Sequence, residues 1–124
     1  YISDDTPEGV VHNYVLATLN KDYEKAYGYL ADLEYKPTYE TFRRAFLNGE
    51  VNPENQAVDI GESDIVGDVA TVDLELIYNS SDPFSTGYRN MMTADLIRQD
   101  GAWKLTLMPQ YNFWGYDWFV EPPK

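Results

Sequence analysis

Apolar positions along the first fifty residues recur every three or four places. Val11, Tyr14, Val15, Thr18 and Leu19 form one such stripe, the spacing of one face of an α-helix. Thr6-Pro7-Glu8 stands ahead of it: a hydroxyl able to cap the first turn, a proline suited to the first helical position, and an acid near the positive helix end. Asn20-Lys21-Asp22 interrupts the pattern, and Tyr23, Ala26, Tyr27 and Leu30 resume it, predicting a second helix that ends near Asp32 to Glu34. Lys36-Pro37-Thr38 marks a third boundary. Thr38 is a candidate N-cap for a helix carrying Tyr39, Phe42, Ala45 and Phe46, stopped by Asn48-Gly49.

Beyond Pro53 the period falls to two. Val58, Ile60 and, further on, Ile65 suggest a first strand, and Gly67-Asp68 a turn. Ala70, Val72, Leu74, Leu76 and Tyr78 then alternate with Val69, Thr71, Asp73, Glu75 and Ile77, the signature of a half-buried strand. Residues Asn79 to Gly87 form a loop, and Tyr88 to Gln99 a further strand with Met92, Ala94 and Leu96 on its inner face. Asp100-Gly101 is a hairpin signal, followed by Trp103, Leu105 and Leu107 facing in and by Pro109 ending the strand. Helices first and antiparallel strands after predict one α+β domain over 1–124, with a helical part at 6–49, a sheet at 56–108 and a tail at 109–124.

Charge narrows the function classes. The chain carries 9 Lys+Arg against 21 Asp+Glu, a net −12. The acids are spread, 11 against 5 bases in residues 1–60 and 10 against 4 in residues 61–124. Such a chain lacks the basic footprint for phosphate backbones or anionic membranes, and the acids read as a solvating coat. The 44% hydrophobic and 15% aromatic content separates it from acidic disordered chains. With no cysteine, disulfides, thiolate metal sites and Cys nucleophiles are excluded. No apolar run approaches the ~20 residues of a membrane span. The chain starts at Tyr1, so a longer precursor, with a signal or lipid anchor trimmed away, is expected.

Three segments carry a resemblance. T-P-E-G-V-V-H-N-Y-V-L-A-T-L-N-K-D-Y-E-K-A-Y-G-Y-L, Thr6 to Leu30, resembles the first two helices of nuclear transport factor two-like domains, also called the cystatin-like or ketosteroid isomerase-like fold. G-D-V-A-T-V-D-L-E-L, Gly67 to Leu76, and D-G-A-W-K-L-T, Asp100 to Thr106, are similar to two of that family's hairpins, in the family's order. The resemblance implies three N-terminal helices packed on a strongly curved, mainly antiparallel sheet, a cone with a pocket inside. The chain looks most like the versions found in extracytoplasmic bacterial lipoproteins and cell-surface proteins, which implies a secreted or lipid-anchored location. Homodimerisation through the sheet is common in the family and is expected here through the sheet or the tail.

The family's enzymes place a carboxylate or a His-Asp pair on the inner pocket wall, since a general base must reach substrate from inside. Two-residue alternation puts Asp73, Glu75 and Asp95 on the opposite face, unless a one-residue bulge reverses part of it. His12, the sole imidazole, lies about 100° from the centre of the first stripe and is expected at the rim in a structural or surface role. Tyr14 resembles the first-helix tyrosine that donates to an oxyanion in the isomerases of this fold, with a core aromatic as the plainer reading. Asp59, Glu62, Asp64 and Asp68 lack the ordered spacing of a calcium loop and read as a solvated edge, while Asn79-Ser80-Ser81 matches a glycosylation acceptor only if the chain is eukaryotic. Tyr111, Phe113, Trp114, Tyr116, Trp118 and Phe119 make an aromatic tail that covers the helices or the pocket mouth, or forms a contact surface.

These readings converge on a non-catalytic domain of an exported bacterial protein that binds a small apolar ligand in an aromatic-lined cone, or a partner protein. Tyr14, Tyr27, Leu74, Tyr78, Met92, Trp103 and Trp114 are the expected ligand-binding residues, with no catalytic residue, metal or cofactor, no nucleic acid partner and no membrane insertion of the domain. The alternative is a small isomerase or dehydratase using Tyr14 and a carboxylate that a bulge turns inward.

Overall fold

The computed structural model describes residues 2–34, 36–48, 56–78 and 88–107, with backbone alone at 56, 57, 76–78, 88–90 and 107. The expected Asn79–Gly87 loop and aromatic tail lie outside the described residues. Three helices, α1 (Pro7–Leu19), α2 (Tyr23–Gly28) and α3 (Tyr39–Leu47), precede four strands, β1 (Gln56–Val66), β2 (Val69–Tyr78), β3 (Tyr88–Gln99) and β4 (Ala102–Leu107). The strands form one antiparallel sheet in sequence order. The chain is therefore an α+β domain with helices against a four-stranded meander.

Local chemistry starts each helix. The Thr6 hydroxyl accepts from the Gly9 amide at 3.0 Å, with Pro7 and Glu8 in the first turn. The Asp22 carboxylate accepts from the Lys25 amide, and the Thr38 hydroxyl from the Thr41 amide. Two details differ from the sequence pattern. Leu19 is 43% exposed: it sits about 140° around the helix from Tyr14 at 3.6 residues per turn, while Val10, Asn13 and Ala17 take the buried side. Helix α2 stops at Gly28 instead of running to Asp32–Glu34. There the chain turns extended and docks on the free edge of β4, with Leu105 N–H donating to Tyr29 O and Ala31 N–H to Leu105 O, both at 2.8 Å. The Gln99 side-chain amide then holds the backbone of Asp32 from both sides, accepting at 2.8 Å and donating at 3.2 Å. An exposed strand edge is a row of unmet donors and acceptors, and satisfying it outweighs the further four to six residues of a weak helix.

Strand β1 contains a bulge, while β2 and β3, which carry Asp73, Glu75 and Asp95, pair without a register shift between them. Ile60 pairs with Leu74 and Ser63 with Val72, so three steps on β1 oppose two on β2. That extra residue explains why Val58 and Ile60 are even-numbered but Ile65 is odd, and it keeps the exposed Glu62 and Asp64 off the helix-facing side. Gly61 is at this bulge, where a side chain would come within 3.3 Å of the Asp73 carbonyl. A second shift falls at Thr106, whose hydroxyl donates to Asp95 O at 3.1 Å. It puts Leu107 in register with Asp95, so the plain alternation expected through Leu105 and Leu107 is interrupted. The β3–β4 turn has positive φ at both Asp100 (54°) and Gly101 (80°), the two-residue turn whose twist matches that of the strands.

The core joins Val10, Val11, Tyr14 and Ala17 of α1, Phe42, Ala45 and Phe46 of α3, and the inner sheet residues Ala70, Val72, Leu74, Ala94, Leu96, Trp103 and Leu105. Phe42 is its aromatic hinge, with ring centroids 6.4 Å from Tyr14, 5.4 Å from Tyr27 and 5.1 Å from Phe46. The leader before α1 is also fastened. Asn13, 2% exposed, accepts from the Ile2 amide at 2.9 Å and donates to the Ile2 carbonyl at 2.7 Å, and a Cβ at Gly9 would collide with the Ser3 carbonyl.

Two stability measurements check this packing. Leu96→Ala should cost about 2–5 kcal/mol in urea unfolding, because it empties a fully buried site, whereas Val66→Thr at an exposed strand end should stay within about 0.5 kcal/mol. Asn13→Ala should cost about 1–3 kcal/mol and make the bonds around Asp4 and Asp5 sensitive to a protease that leaves the parent chain intact.

Candidate binding cleft

The buried positions on the helix-facing side of the sheet are apolar among the described residues. Ala70, Val72, Leu74, Ala94, Leu96 and Leu105 are each at most 1% exposed. Asp73 lies exposed on the opposite face, and Glu75 and Asp95 are half-buried there. Of the expected ligand-binding residues, Tyr14 and Leu74 are wholly buried in the core, while Tyr27 and Met92 pack against its edge. Trp103 is 4% exposed and reaches the end of the core. The side chain of Tyr78 and the whole of Trp114 lie outside the described residues. His12 is half-buried, its Nδ1 3.2 Å from Asn13 Oδ1, which fits the rim position.

Tyr27 illustrates the edge environment. Its hydroxyl donates to Pro37 O at 2.6 Å, and the Lys36 ammonium lies 4.6 Å from its ring centroid. Burial, and then the nearby Asp32 carboxylate, hold its phenol above the usual 10.0.

A cleft of about 230 Å³ opens where β3 and β4 run past α1 to the Asp100-Gly101 turn. Its walls include Asp4 and Asp5 of the leader, Tyr29, and Arg98, Trp103 and Lys104 of the sheet. The sheet residues follow from register. Arg98 pairs with Trp103, so both side chains leave the same face of the sheet, and the guanidinium carbon lies 4.6 Å from the indole centroid, within cation–π range. On the leader side, the Tyr29 hydroxyl donates to Asp4 Oδ2 at 3.4 Å and accepts from Asn13 Nδ2 at 3.3 Å. Lys104 Nζ donates to the Gly28 carbonyl at 2.7 Å, fixing the lysine against the end of α2. A neighbouring depression of about 430 Å³ is lined by Asp32, Lys36 and Gln99 among others, but its Gln99 and Asp32 groups are already bonded to each other.

Sequence reasoning passed over Arg98, Asp4, Asp5 and Tyr29. A signal for Arg98 was present, since it continues the inward series Met92, Ala94, Leu96. The leader gave none, because its position depends on Asn13 and Tyr29, residues far from it in sequence.

No protein-family model matches this chain, and no curated protein matches it. Solved structures do. The solution structure of a SEC-C motif containing protein from Rhodopseudomonas palustris is similar at TM-score 0.56 and 12% identity, covering 84% of this chain and 77% of that one. The crystal structure of an uncharacterized cystatin fold protein from Novosphingobium aromaticivorans is similar at TM-score 0.53 and 10% identity, covering 84% and 95%. The fold is cystatin-like.

The phenol of Tyr27 supplies a pH prediction. Its pKa is higher folded than unfolded, so its contribution is complete below pH 10.0 and is lost as pH rises through the folded value. Tyr27→Phe should flatten the fall in stability above pH 10.0, measured by urea midpoints across alkaline pH against the parent chain.

Proposed function

We propose that the chain is a non-catalytic, small-ligand-binding domain of nuclear transport factor two-like type from an exported bacterial protein. The observation that carries this reading is the segregation of charge. The buried positions on the helix-facing side of the sheet are apolar among the described residues, with Ser63 and Arg98 at its margins, whereas the sheet acids Asp73, Glu75 and Asp95 occupy the other face. Acid–base catalysis on the inner sheet wall needs a carboxylate or imidazole reaching the substrate from that wall, and the carboxylates at the cleft, Asp4 and Asp5, come from the leader instead. The described interior is filled by its own side chains, so the binding position favoured here is the cleft at the Trp103 end. A strongly curved sheet and an extracytoplasmic location belong to the same reading through the resemblance. Homodimerisation through the outer sheet face would set Asp73, Glu75 and Asp95 of one copy against the same residues of the other, so such a dimer should tighten with added salt.

The test is a metabolite and glycan set titrated into ¹⁵N-labelled protein, following the Trp103 indole N–H. Binders should shift that signal and be recovered chemically unchanged. Turnover of a binder, or shifts confined to residues distant from Trp103, would end this reading.

A further inference from the structure

The cleft sets opposite charges on its two walls without joining them. Asp4 and Asp5 come from the leader, Arg98 and Lys104 from β3 and β4, and all four line the same 230 Å³ space. Among the described residues the ion pairs are those of Glu40 with Arg43 and Arg44 on α3, so no salt bridge closes the cleft. Lys104 Nζ is engaged by the Gly28 carbonyl. The Arg98 guanidinium rests over Trp103 and makes no hydrogen bond or ion pair among the described residues, although acids outnumber bases 21 to 9 in this chain. Five N–H donors in a planar fork are suited to a carboxylate, and the contact with the indole holds that fork at the Trp103 end of the cleft.

A plain anion at Arg98 would feel Asp4 and Asp5, and a plain cation at the aspartates would feel Arg98 and Lys104. A molecule with both charges meets both walls. We propose that the cleft holds a small zwitterionic amino compound, of free amino acid or dipeptide size, with its carboxylate on Arg98 and its ammonium against Asp4 and Asp5. The volume fits that class, since 230 Å³ is roughly seven or eight liquid waters at ~30 Å³ each. Tyr29 sets the acidic wall by holding Asp4 Oδ2, and Asn13 sets Tyr29. This inference rests on the binding reading above and adds the ligand's chemistry.

Diglycine, its N-acetyl form (anion only) and its C-terminal amide (cation only) separate the contributions. Each is titrated into the labelled chain, following the Trp103 indole and the Asp4, Asp5 and Arg98 amides. Diglycine should bind at least tenfold more tightly than either blocked form. Arg98→Gln should weaken diglycine at least tenfold and leave the amide form unchanged. Asp4→Asn with Asp5→Asn should weaken diglycine and leave the N-acetyl form unweakened. Arg98→Lys, which keeps the charge and the indole contact, should fall between Arg98→Gln and the parent, and an undisturbed amide spectrum away from the cleft shows that each variant is folded. Equal affinity for the three compounds, or an Arg98→Gln chain that binds diglycine as the parent does, would overturn the zwitterion. No response to any of the three, alongside other compounds that still shift Trp103, would overturn it while the cleft stands as a site. Silence at Trp103 towards every compound would remove both.

Discussion

Two hydrogen bonds on the free edge of β4 join the helical part of this chain to its sheet. Leu105 donates to Tyr29 and accepts from Ala31. Much else depends on that junction. It ends α2 at Gly28, it occupies the backbone groups an edge strand would leave open, and it fixes Tyr29 where the hydroxyl can hold Asp4. Gln99 extends the same seam by binding the backbone of Asp32 with its side-chain amide. Leu105 itself is 1% exposed and Leu30 is 3% exposed. At Leu30 and Leu105 the seam is thus shielded from water, where a satisfied hydrogen bond contributes modestly but an unmet one costs about 1–3 kcal/mol.

The charge pattern follows from backbone register. A single extra residue near Gly61 turns Ser63 and Ile65 towards the helices in place of Glu62 and Asp64. Without it, strict alternation would carry two carboxylates to the helix-facing side. Burying an unpaired carboxylate is costly enough that such a group would neutralise or exclude helix packing. The bulge therefore sets half-buried Ser63, and not Glu62, beside Val72, and the close approach of Gly61 to the Asp73 carbonyl shows how little room the bulge leaves.

Much of the fold was legible along the chain because its signals are local. Thr6, Asp22 and Thr38 cap helices that their own neighbours begin. The Asp100-Gly101 turn needs only the positive φ that those residue types tolerate. Inner positions such as Val72, Leu74, Ala94 and Leu96 were set by period two, and each is buried. Leu19 and the end of α2 were misjudged for a shared reason. An apolar residue at helical spacing does not say which arc the sheet will cover, and a helical pattern does not say that a distant strand edge will claim its last residues.

The amino-acid order by itself determined the α+β succession, the caps, the turns and the placing of Asp73, Glu75 and Asp95 away from the apolar sheet face, because each follows from contacts within a few residues or from strict alternation. Only the tertiary structure decided the cleft. Asp4 and Arg98 are brought to one space by Asn13, Tyr29 and the β4 edge, and no pattern in the chain encodes a meeting between residues so far apart. Such meetings depend on which backbone groups remain unsatisfied once the local elements have formed, and on what else in the molecule can reach them.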